Sequence, residues 1–401
     1  MLAGALVVYA VACLLAPKGL LTGAHGTDVS YYREAGEQMA HGRLPYRDFY
    51  LEYPPGALPV LLLPAVSAAH YVFLFKLTMA ACGAGALAAS WVTLRRVQAD
   101  TGRALLALTT IALAPLLLGS VFLNRYDAWP ALVVAIALPL LLAGRQRLTG
   151  AALALGVVAK VYPLALVPLA GIELRRRFGR AGLRRGLGAF LAVGAVTTIP
   201  FAALGPGGLA FSFYIQATRH LQVESLAGSV LLVAHRVGVY DPRLAFGRPG
   251  SLDAFGTLPS ALGVLSTLIE VAAVVAAAVW YARGPATADR TICAAAAAIA
   301  AYLALGKVIS PQYLVWLVPV VPLVAGRAGK RVTGLLVAAL VLTQLEFLHY
   351  DSVARMGPVV WLLLARNVVL VAIVALLLRE LRLSAQRGGS QTSKPSVETS
   401  R

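Results

Sequence analysis

Residues 104–143 read ALLALTTIALAPLLLGSVFLNRYDAWPALVVAIALPLLLA. Two apolar runs, 104–122 and 126–143, lie on either side of a short polar segment, 124–128, which carries an arginine and an aspartate. Each run is close to the ~20 residues that a helix needs to cross the ~30 Å hydrocarbon core of a bilayer. The stretch therefore predicts two membrane-spanning helices joined by a tight polar turn.

The whole chain has the composition of a membrane protein. Its 401 residues are 59% hydrophobic and 13% charged, whereas an average soluble domain carries roughly 25% charged residues. The mean hydropathy is +0.77. These values exclude a water-soluble enzyme, a disordered chain, a disulfide scaffold and a nucleic-acid-binding domain. The three cysteines, Cys13, Cys82 and Cys293, each lie inside an apolar run, which is typical of packing residues and not of metal ligands.

Apolar runs recur along the chain and predict further spans. The first run lacks a basic segment in front of it, so it is interpreted as an uncleaved helix and not as a signal peptide. The runs long enough to cross a membrane are 2–21, 71–94, 104–122, 126–143, 186–204, 257–282, 291–305, 313–326, 332–349 and 358–378.

The distribution of lysine and arginine assigns the loops to sides of the membrane. The net charge is +18, and cytoplasmic loops of membrane proteins carry an excess of Lys and Arg. We therefore expect both termini and all the basic clusters to be cytoplasmic: 95–103, 145–147, 175–185, 283–290, 327–331 and the tail from 379. The extracytoplasmic face then carries the polar loops 22–54, 124–128, 205–256, 306–312 and 350–357.

Residues 148–172 have cytoplasmic segments on both sides. Each half is about 11 residues, or roughly 16 Å of helix, which is too short for an independent span. The tip is Lys160-Val161-Tyr162-Pro163, and irregular backbone at membrane depth requires protein or a watery cavity around it. We expect a broken hairpin with Lys160 facing a polar cavity.

These features predict an all-α integral membrane protein of about 12 helices, two of them short, with a long first outer loop. Residues 1–380 are expected to form one transmembrane domain. Residues 381–401 are rich in Ser, Gln, Thr and Gly and are expected to form a disordered cytoplasmic tail.

The first outer loop has the densest group of polar residues. Residues 28–41 are expected to form an amphipathic helix, with Thr27 or Asp28 as the N-cap. A carboxylate just beyond a membrane helix can act as a general base on a hydroxyl group. The polar residues of the loop include Asp28, Tyr31, Tyr32, Glu34, Glu37, Arg47, Asp48 and Glu52, followed by Tyr53-Pro54-Pro55.

Three further outer segments bring cations and amides together. Arg125 and Asp127 lie in the turn 124–128. The free-energy cost of placing charged side chains so close to hydrocarbon suggests that they contact a polar ligand. The segment 219–225 contains Arg219 and His220, a pair that can bind phosphate, and Gln222 and Glu224, which can bind sugar hydroxyls. The segment 307–313 adds Lys307 and Gln312 at the start of a helix.

Taken in order, these segments resemble the GT-C superfamily of membrane glycosyltransferases, and more narrowly glycosyltransferase family 87. The resemblance covers about residues 1–380 and rests on five motifs: Asp28…Tyr31-Tyr32…Gly42…Pro45-Tyr46…Tyr53-Pro54-Pro55, Arg125-Tyr126-Asp127-Ala128-Trp129-Pro130, Ala159-Lys160-Val161-Tyr162-Pro163, Arg219…Gln222-Val223-Glu224-Ser225 and Lys307…Ser310-Pro311-Gln312-Tyr313. The family contains bacterial α-mannosyltransferases that use polyprenol-phosphate-mannose.

The resemblance implies a GT-C-like bundle, a lipid-phosphate sugar donor, an outward-facing active site and a catalytic aspartate in the first loop. Asp28 occupies that position, with Asp48 as the fallback. The residues expected to bind the donor phosphate or its sugar are Arg125, Asp127, Lys160, Tyr162, Arg219, His220 and Lys307. Those expected to bind the acceptor or a sugar are Tyr31, Tyr32, Gln222, Glu224 and Gln312.

The expected function is transfer of a hexose, mannose by resemblance, from a polyprenyl phosphate carrier to a cell-envelope glycolipid or glycan, with inversion. The lack of a DxD motif and the short cytoplasmic loops argue against a nucleotide-sugar donor. No cofactor or metal site is evident. Two alternatives stay open: a transferase of arabinose or another sugar that uses the same type of carrier, and a transporter or flippase of lipid-linked sugar that performs no chemistry.

Overall fold

The computed structural model describes residues 1–20, 28–247 and 250–391, with side chains described as far as 386. Within these ranges the chain forms fifteen α-helices. They are α1 (Leu2–Leu15), α2 (Val29–Ala40), α3 (Leu58–Leu62), α4 (Tyr71–Arg96), α5 (Thr101–Leu118), α6 (Ala128–Leu142), α7 (Gln146–Ala159), α8 (Val167–Leu204), α9 (Pro206–Ala217), α10 (Leu226–Arg236), α11 (Thr257–Arg283), α12 (Ala288–Leu305), α13 (Gly326–Leu348), α14 (Tyr350–Ala354) and α15 (Val360–Gln391).

Seven of the helical segments in the described ranges are long and apolar enough to cross a membrane. They contain α4, α5, α8, α11, α12, α13 and α15. Shorter apolar helices, among them α1, α6 and α7, pack between them. The prediction of an all-helical, multi-pass membrane protein is therefore confirmed.

Helix α12 forms the centre of the bundle. Its run of alanines is almost completely buried, and small side chains let neighbouring helices approach closely. Helices α11 and α15 pack on it. In contrast, Leu191 and Val196 of α8 and Leu268 of α11 are exposed, as expected of side chains that face lipid.

The expected break at Lys160 is present. Helix α7 ends at Ala159, Lys160 is extended, and the chain continues as a 3-10 turn, Tyr162–Leu166, into α8. The basic segment 175–185, expected to be a loop, is instead helical and belongs to α8. The only interruption there is Gly179, whose φ of +64° lies in the left-handed region that glycine tolerates.

The predicted span 313–326 is wrong as a regular helix. The structure has two buried 3-10 turns, Pro311–Trp316 and Val321–Leu323. Pro311, Pro319 and Pro322 explain this difference, because proline lacks the N–H that an α-helix interior requires.

The ends of other elements also differ from the predictions. The last helix continues through Gln391, past the expected boundary at 380, and residues 392–401 of the predicted tail lie outside the described residues. The first helix is described from Leu2 to Leu15, shorter than the predicted run to 21. The segment 205–256, predicted to be an outer loop, contains a small antiparallel sheet in the order β1-β3-β2, which the sequence patterns did not indicate: β1 (Leu221–Gln222), β2 (Arg243–Phe246) and β3 (Leu252–Phe255).

The first outer loop is packed onto the bundle. Its helix α2 begins at Val29, close to the predicted 28–41. The Tyr71 hydroxyl, on α4, donates to the backbone oxygens of Tyr32 and Leu61 at 2.8 Å. The Trp129 indole N–H, on α6, donates to the Gly56 carbonyl at 3.0 Å. These bonds hold α2 and the segment after it over the ends of α4 and α6.

Candidate active site

A cavity of about 970 Å³ lies where the segments between the helices converge. Every one of the predicted outer loops contributes to its wall. The residues predicted from sequence that line it are Asp28, Tyr32, Arg125, Lys160, Tyr162, Arg219, Gln222, Glu224, Lys307 and Gln312. Residues far apart in the chain are thus brought into one polar space among apolar helices.

Asp28 and Arg125 form an ion pair in this cavity. Asp28 is the N-cap residue of α2, one of the two predicted, but its side chain accepts no capping hydrogen bond from that helix; Thr27 lies outside the described residues. The carboxylate is directed towards Arg125, and the Tyr32 hydroxyl donates to its Oδ2 at 3.4 Å. Asp28 is half-exposed and Arg125 is buried.

Lys160 lies in a cage of aromatic rings. Its Nζ is 2.6 Å from Asp127 Oδ1 and 4.7 Å and 4.8 Å from the ring centres of Tyr126 and Tyr313. The Trp316 indole N–H donates to the same Asp127 oxygen at 2.7 Å. Asp127 is 1% exposed and does not line the cavity. It is therefore placed to fix the position of the Lys160 ammonium.

Tyr162 and Trp316 stack with their ring centres 4.2 Å apart. Tyr162 is fully buried, and its hydroxyl has no hydrogen-bond partner within the described part of the chain. Both rings line the cavity. The helix break at Lys160 is thereby packed against the 3-10 segment that replaces the predicted span.

Arg219 and Lys307 supply positive charge at another part of the wall. The Lys307 ammonium donates to the Ala217 carbonyl at 3.1 Å. Burial lowers the pKa of Lys307, and the neighbouring charge of Arg219 lowers it further. His220 is exposed, packs on the Phe255 ring at 4.4 Å between ring centres and does not line the cavity.

Gln222 and Glu224 are buried, and their side chains hydrogen-bond to each other at 2.8 Å. Helix α15 fixes this turn: Arg366 and Asn367 donate to the Glu224 carbonyl. One oxygen of each cavity-lining side chain, Gln222 Oε1 and Glu224 Oε1, has no partner within the described residues. Burial raises the pKa of Glu224, and the nearby carboxylate of Glu346 raises it further.

The remaining predicted residues have other surroundings. Tyr31 packs against Tyr53 with 6.0 Å between ring centres and does not line the cavity. Gln312 lines it, and its Oε1 accepts from the Ser310 hydroxyl at 2.9 Å. Asp48 lies outside the cavity, where Arg47 at 2.8 Å and the Leu44 N–H hold its pKa at about 2.

Glu52 is a residue of the cavity wall to which the sequence analysis gave no role of its own. It is 7% exposed and lines the cavity, although it belongs to the loop acids that seemed less well placed than Asp28. Its position directly before Tyr53-Pro54-Pro55 was the available signal. Trp316 and Glu270 also line the cavity. Within the described ranges no group of three or more His, Cys, Asp or Glu is arranged to hold a metal ion.

The fold and the cavity define a multi-pass membrane protein with a buried polar site, rich in carboxylates and cations, among its loops. The chain belongs to glycosyltransferase family 87, whose sequence model matches residues 50–311. It is therefore a membrane glycosyltransferase, as the motifs of the GT-C superfamily indicated. Arg125, Lys160, Arg219 and Lys307 lie inside the matched region, and Asp28 lies before it.

One solved structure with a similar fold is ArnT from Cupriavidus metallidurans bound to undecaprenyl phosphate. The identity is 17%, the match covers 97% of this chain and 78% of that chain, and the TM-score is 0.49. A search of curated proteins finds no match.

Proposed function

We propose that this protein transfers a hexose, mannose by its family resemblance, from a polyprenyl phosphate carrier to a hydroxyl group of a cell-envelope glycolipid or glycan, with inversion at the anomeric carbon. One observation carries the proposal. A single cavity holds the carboxylate of Asp28 on one part of its wall and the cations of Arg219 and Lys307 on another.

The charges favour Arg219 and Lys307 as the phosphate site. Four Lys and Arg side chains line the described part of the cavity, but Arg125 is paired with Asp28 and Lys160 with Asp127. Arg219 and Lys307 have no carboxylate within 4 Å in the described ranges. A phosphate would relieve their mutual repulsion, and fixed cations stabilise the charge of a departing phosphate.

The lipid chain of the donor requires an apolar path to this site. Val161 and Phe213 line the cavity and are 37% and 44% exposed. Leu164 near Val161 and Leu268 near the cavity-lining Thr267 are also exposed. These side chains support a lipid-facing opening between the 160–166 segment and α11, where a polyprenyl chain can lie in the bilayer.

Asp28 is the proposed general base. It takes the proton of the acceptor hydroxyl as that oxygen attacks the anomeric carbon, and the bond from this carbon to the phosphate oxygen breaks with its electrons leaving on the phosphate. One displacement inverts the configuration, so no carboxylate nucleophile is required. Arg125 and Tyr32 position the Asp28 carboxylate.

Gln222 and Glu224 are the proposed acceptor residues. Their unpartnered oxygens point to missing hydrogen-bond donors, and buried polar atoms of this kind are normally satisfied. Sugar hydroxyls supply such donors. Tyr31, Tyr32 and Gln312 remain proposed sugar-binding residues, Tyr31 through its packing on Tyr53.

We place the site on the extracytoplasmic face and both termini in the cytoplasm. The support is the distribution of lysine and arginine, since the segments that line the cavity alternate along the chain with the basic clusters.

The direct test is a transfer assay. Purified protein is incubated with radiolabelled polyprenyl-phosphate-mannose and membrane extract, and the labelled product is identified. Labelled product supports the proposal. If product forms only from a carrier of arabinose or another sugar, the assignment of the donor sugar changes. Transbilayer movement of the carrier without any product would favour a flippase.

Variants test the phosphate site. Arg219→Gln and Lys307→Gln each remove a charge-assisted hydrogen bond worth about 1.5–3 kcal/mol. We expect the KM for the donor to rise about 10- to 100-fold, with a smaller effect on the KM for the acceptor. The exposed Arg236, replaced by Gln, is the matched control. An unchanged donor KM in both cavity variants would place the phosphate elsewhere.

A further inference from the structure

Glu52 is a buried carboxyl of the cavity to which the proposed transfer step gives no role. It is 7% exposed, and its Oε2 has no hydrogen-bond partner in the part of the chain that the structure describes. A buried polar atom without a partner destabilises the protein, so such atoms are normally satisfied. A free oxygen in the wall of a ligand cavity therefore calls for a ligand group.

Glu52 is close enough to both the base and two cations of the cavity to feel their charges. The positive charges of Arg219 and Lys160 and the negative charge of Asp28 all act on its carboxyl. In an inverting displacement the acceptor oxygen and the leaving phosphate oxygen lie on opposite sides of the anomeric carbon. A side chain that interacts with both the base Asp28 and the phosphate cation Arg219 is consequently expected beside the sugar ring.

The backbone around Glu52 is held rigidly. The Ser212 hydroxyl, on α9, donates to the Glu52 carbonyl at 3.0 Å. The Tyr46 hydroxyl donates to the Tyr53 carbonyl at 2.5 Å, and Pro54 and Pro55 follow. Such fixed backbone gives the carboxyl a defined position, as a binding residue requires.

The two carboxyls of the site are in different environments. Asp28 is half-exposed and ion-paired with Arg125. Glu52 has no ion pair within 4 Å among the described residues, and burial raises its pKa to about 7. Carboxyl groups in contrasting environments usually take different roles. A neutral carboxylic acid is both a donor and an acceptor, which suits a sugar hydroxyl.

We propose that Glu52 binds a hydroxyl group of the sugar being transferred and does so as a neutral carboxylic acid, its O–H donating to the sugar and its carbonyl oxygen accepting from it. This inference rests on the proposed function. It assigns Glu52 to recognition of the donor sugar, separate from the base Asp28 and from the phosphate site.

Glutamine tests this assignment because it has the shape of the neutral acid and still donates and accepts. We expect wild-type kcat/KM for the donor to fall as the pH rises through about 7, the pKa of Glu52. Glu52→Gln should keep most of the activity and remove that fall. Glu52→Ala should lose about 10- to 100-fold in kcat/KM, the cost of one or two hydrogen bonds. The groups that face Glu52 and stay in place are Asp28, Tyr31, Tyr53, Tyr126, Lys160 and Arg219.

Glu34→Gln is the control, because Glu34 is an exposed acid of the same loop outside the cavity wall. Thermal unfolding of each variant checks the fold, and Glu52→Gln is expected to unfold no lower than wild type. Glu52→Gln as inactive as Glu52→Ala would overturn the inference and make Glu52 a base. If kcat/KM for the donor still falls in Glu52→Gln as the pH rises through about 7, the inference is also overturned. No product with wild type would overturn the proposed function itself, and this inference with it.

Discussion

Asp28 and Asp48 are both acids of the predicted first outer loop, and their surroundings differ. Asp48 pairs with its neighbour Arg47 and accepts from the Leu44 N–H at 2.8 Å, so it stabilises a local turn. Asp28 is paired across the bundle with Arg125 and lines the cavity. The partner of Asp28 comes from a distant part of the chain, so the ion pair itself could not be predicted from the sequence of the loop.

We expect Asp28→Asn to lower turnover by about 10²–10⁴-fold, the usual contribution of a general base. The amide keeps the size of the side chain, so donor binding and thermal unfolding should change little. Asp48→Asn is the matched variant and should leave turnover unchanged. The measurement is initial rate of sugar transfer at saturating donor. A loss in Asp48→Asn without one in Asp28→Asn would transfer the role of base to Asp48.

The pair Asp127–Lys160 predicts a measurable coupling. Asp127 is almost completely buried, and the side chain of Lys160 is 15% exposed. Removing one partner of a buried ion pair leaves an uncompensated charge and costs about 3–5 kcal/mol. We expect Asp127→Asn and Lys160→Met each to lower the unfolding temperature. The unfolding temperature of the double variant should fall by less than the sum of the two single decreases. A double-mutant cycle in detergent measures this difference. Additive losses would mean that the two side chains do not interact.

The motifs included all four Lys and Arg side chains that line the described part of the cavity, because a charge is costly beside hydrocarbon and is retained there for a reason. Arg125, Arg219 and Lys307 belong to this group. Burial of Glu52 could not be predicted in the same way, since an acid in a polar loop looks solvated until the tertiary structure covers it. Likewise, Asp127 was predicted to bind the donor, and only the structure places it behind Lys160.

At the scale of elements, the contact between α7 and the second half of α8 depends on two glycines. A Cβ added at Gly150 would overlap the carbonyl oxygen of Gly186. Gly150→Ala should therefore push the helices apart and lower the unfolding temperature, although alanine favours a helix. Gly194→Ala in α8, where a Cβ would meet nothing within 4 Å, is the control and should be neutral or slightly stabilising. Equal unfolding temperatures of both variants would contradict this packing.

The helices followed from apolar runs, because a run of about 20 apolar residues has few stable alternatives in a bilayer. The same reasoning failed for 313–326, where an apolar segment is buried inside the protein and not helical throughout. Hydropathy does not distinguish side chains that face lipid from side chains that face protein. The prolines of this segment were the signal against a regular helix.

At the scale of the whole molecule, the predicted cytoplasmic clusters of Lys and Arg and the cavity lie on different segments. The arginines at 175–177 and 180 are exposed on α8 and do not line the cavity, whereas Lys160 and Arg219 do. Basic segments stay in the cytoplasm during insertion. This asymmetry underlies the proposal that the acceptor and donor meet on the extracytoplasmic face.

Cysteine labelling tests that orientation on intact cells. Ser30 on α2, Thr218 after α9 and Ala181 on α8 are exposed positions. Cys13 is first replaced by alanine because it is partly exposed, whereas Cys82 and Cys293 are buried and are kept. We expect a membrane-impermeant maleimide to label Ser30→Cys and Thr218→Cys on intact cells, and Ala181→Cys only after the membrane is permeabilised. Sugar transfer by each of the three cysteine variants confirms that it is folded. Labelling of Ala181→Cys on intact cells, with Ser30→Cys protected, would invert the topology. The cavity would then face the cytoplasm, contrary to the proposed orientation.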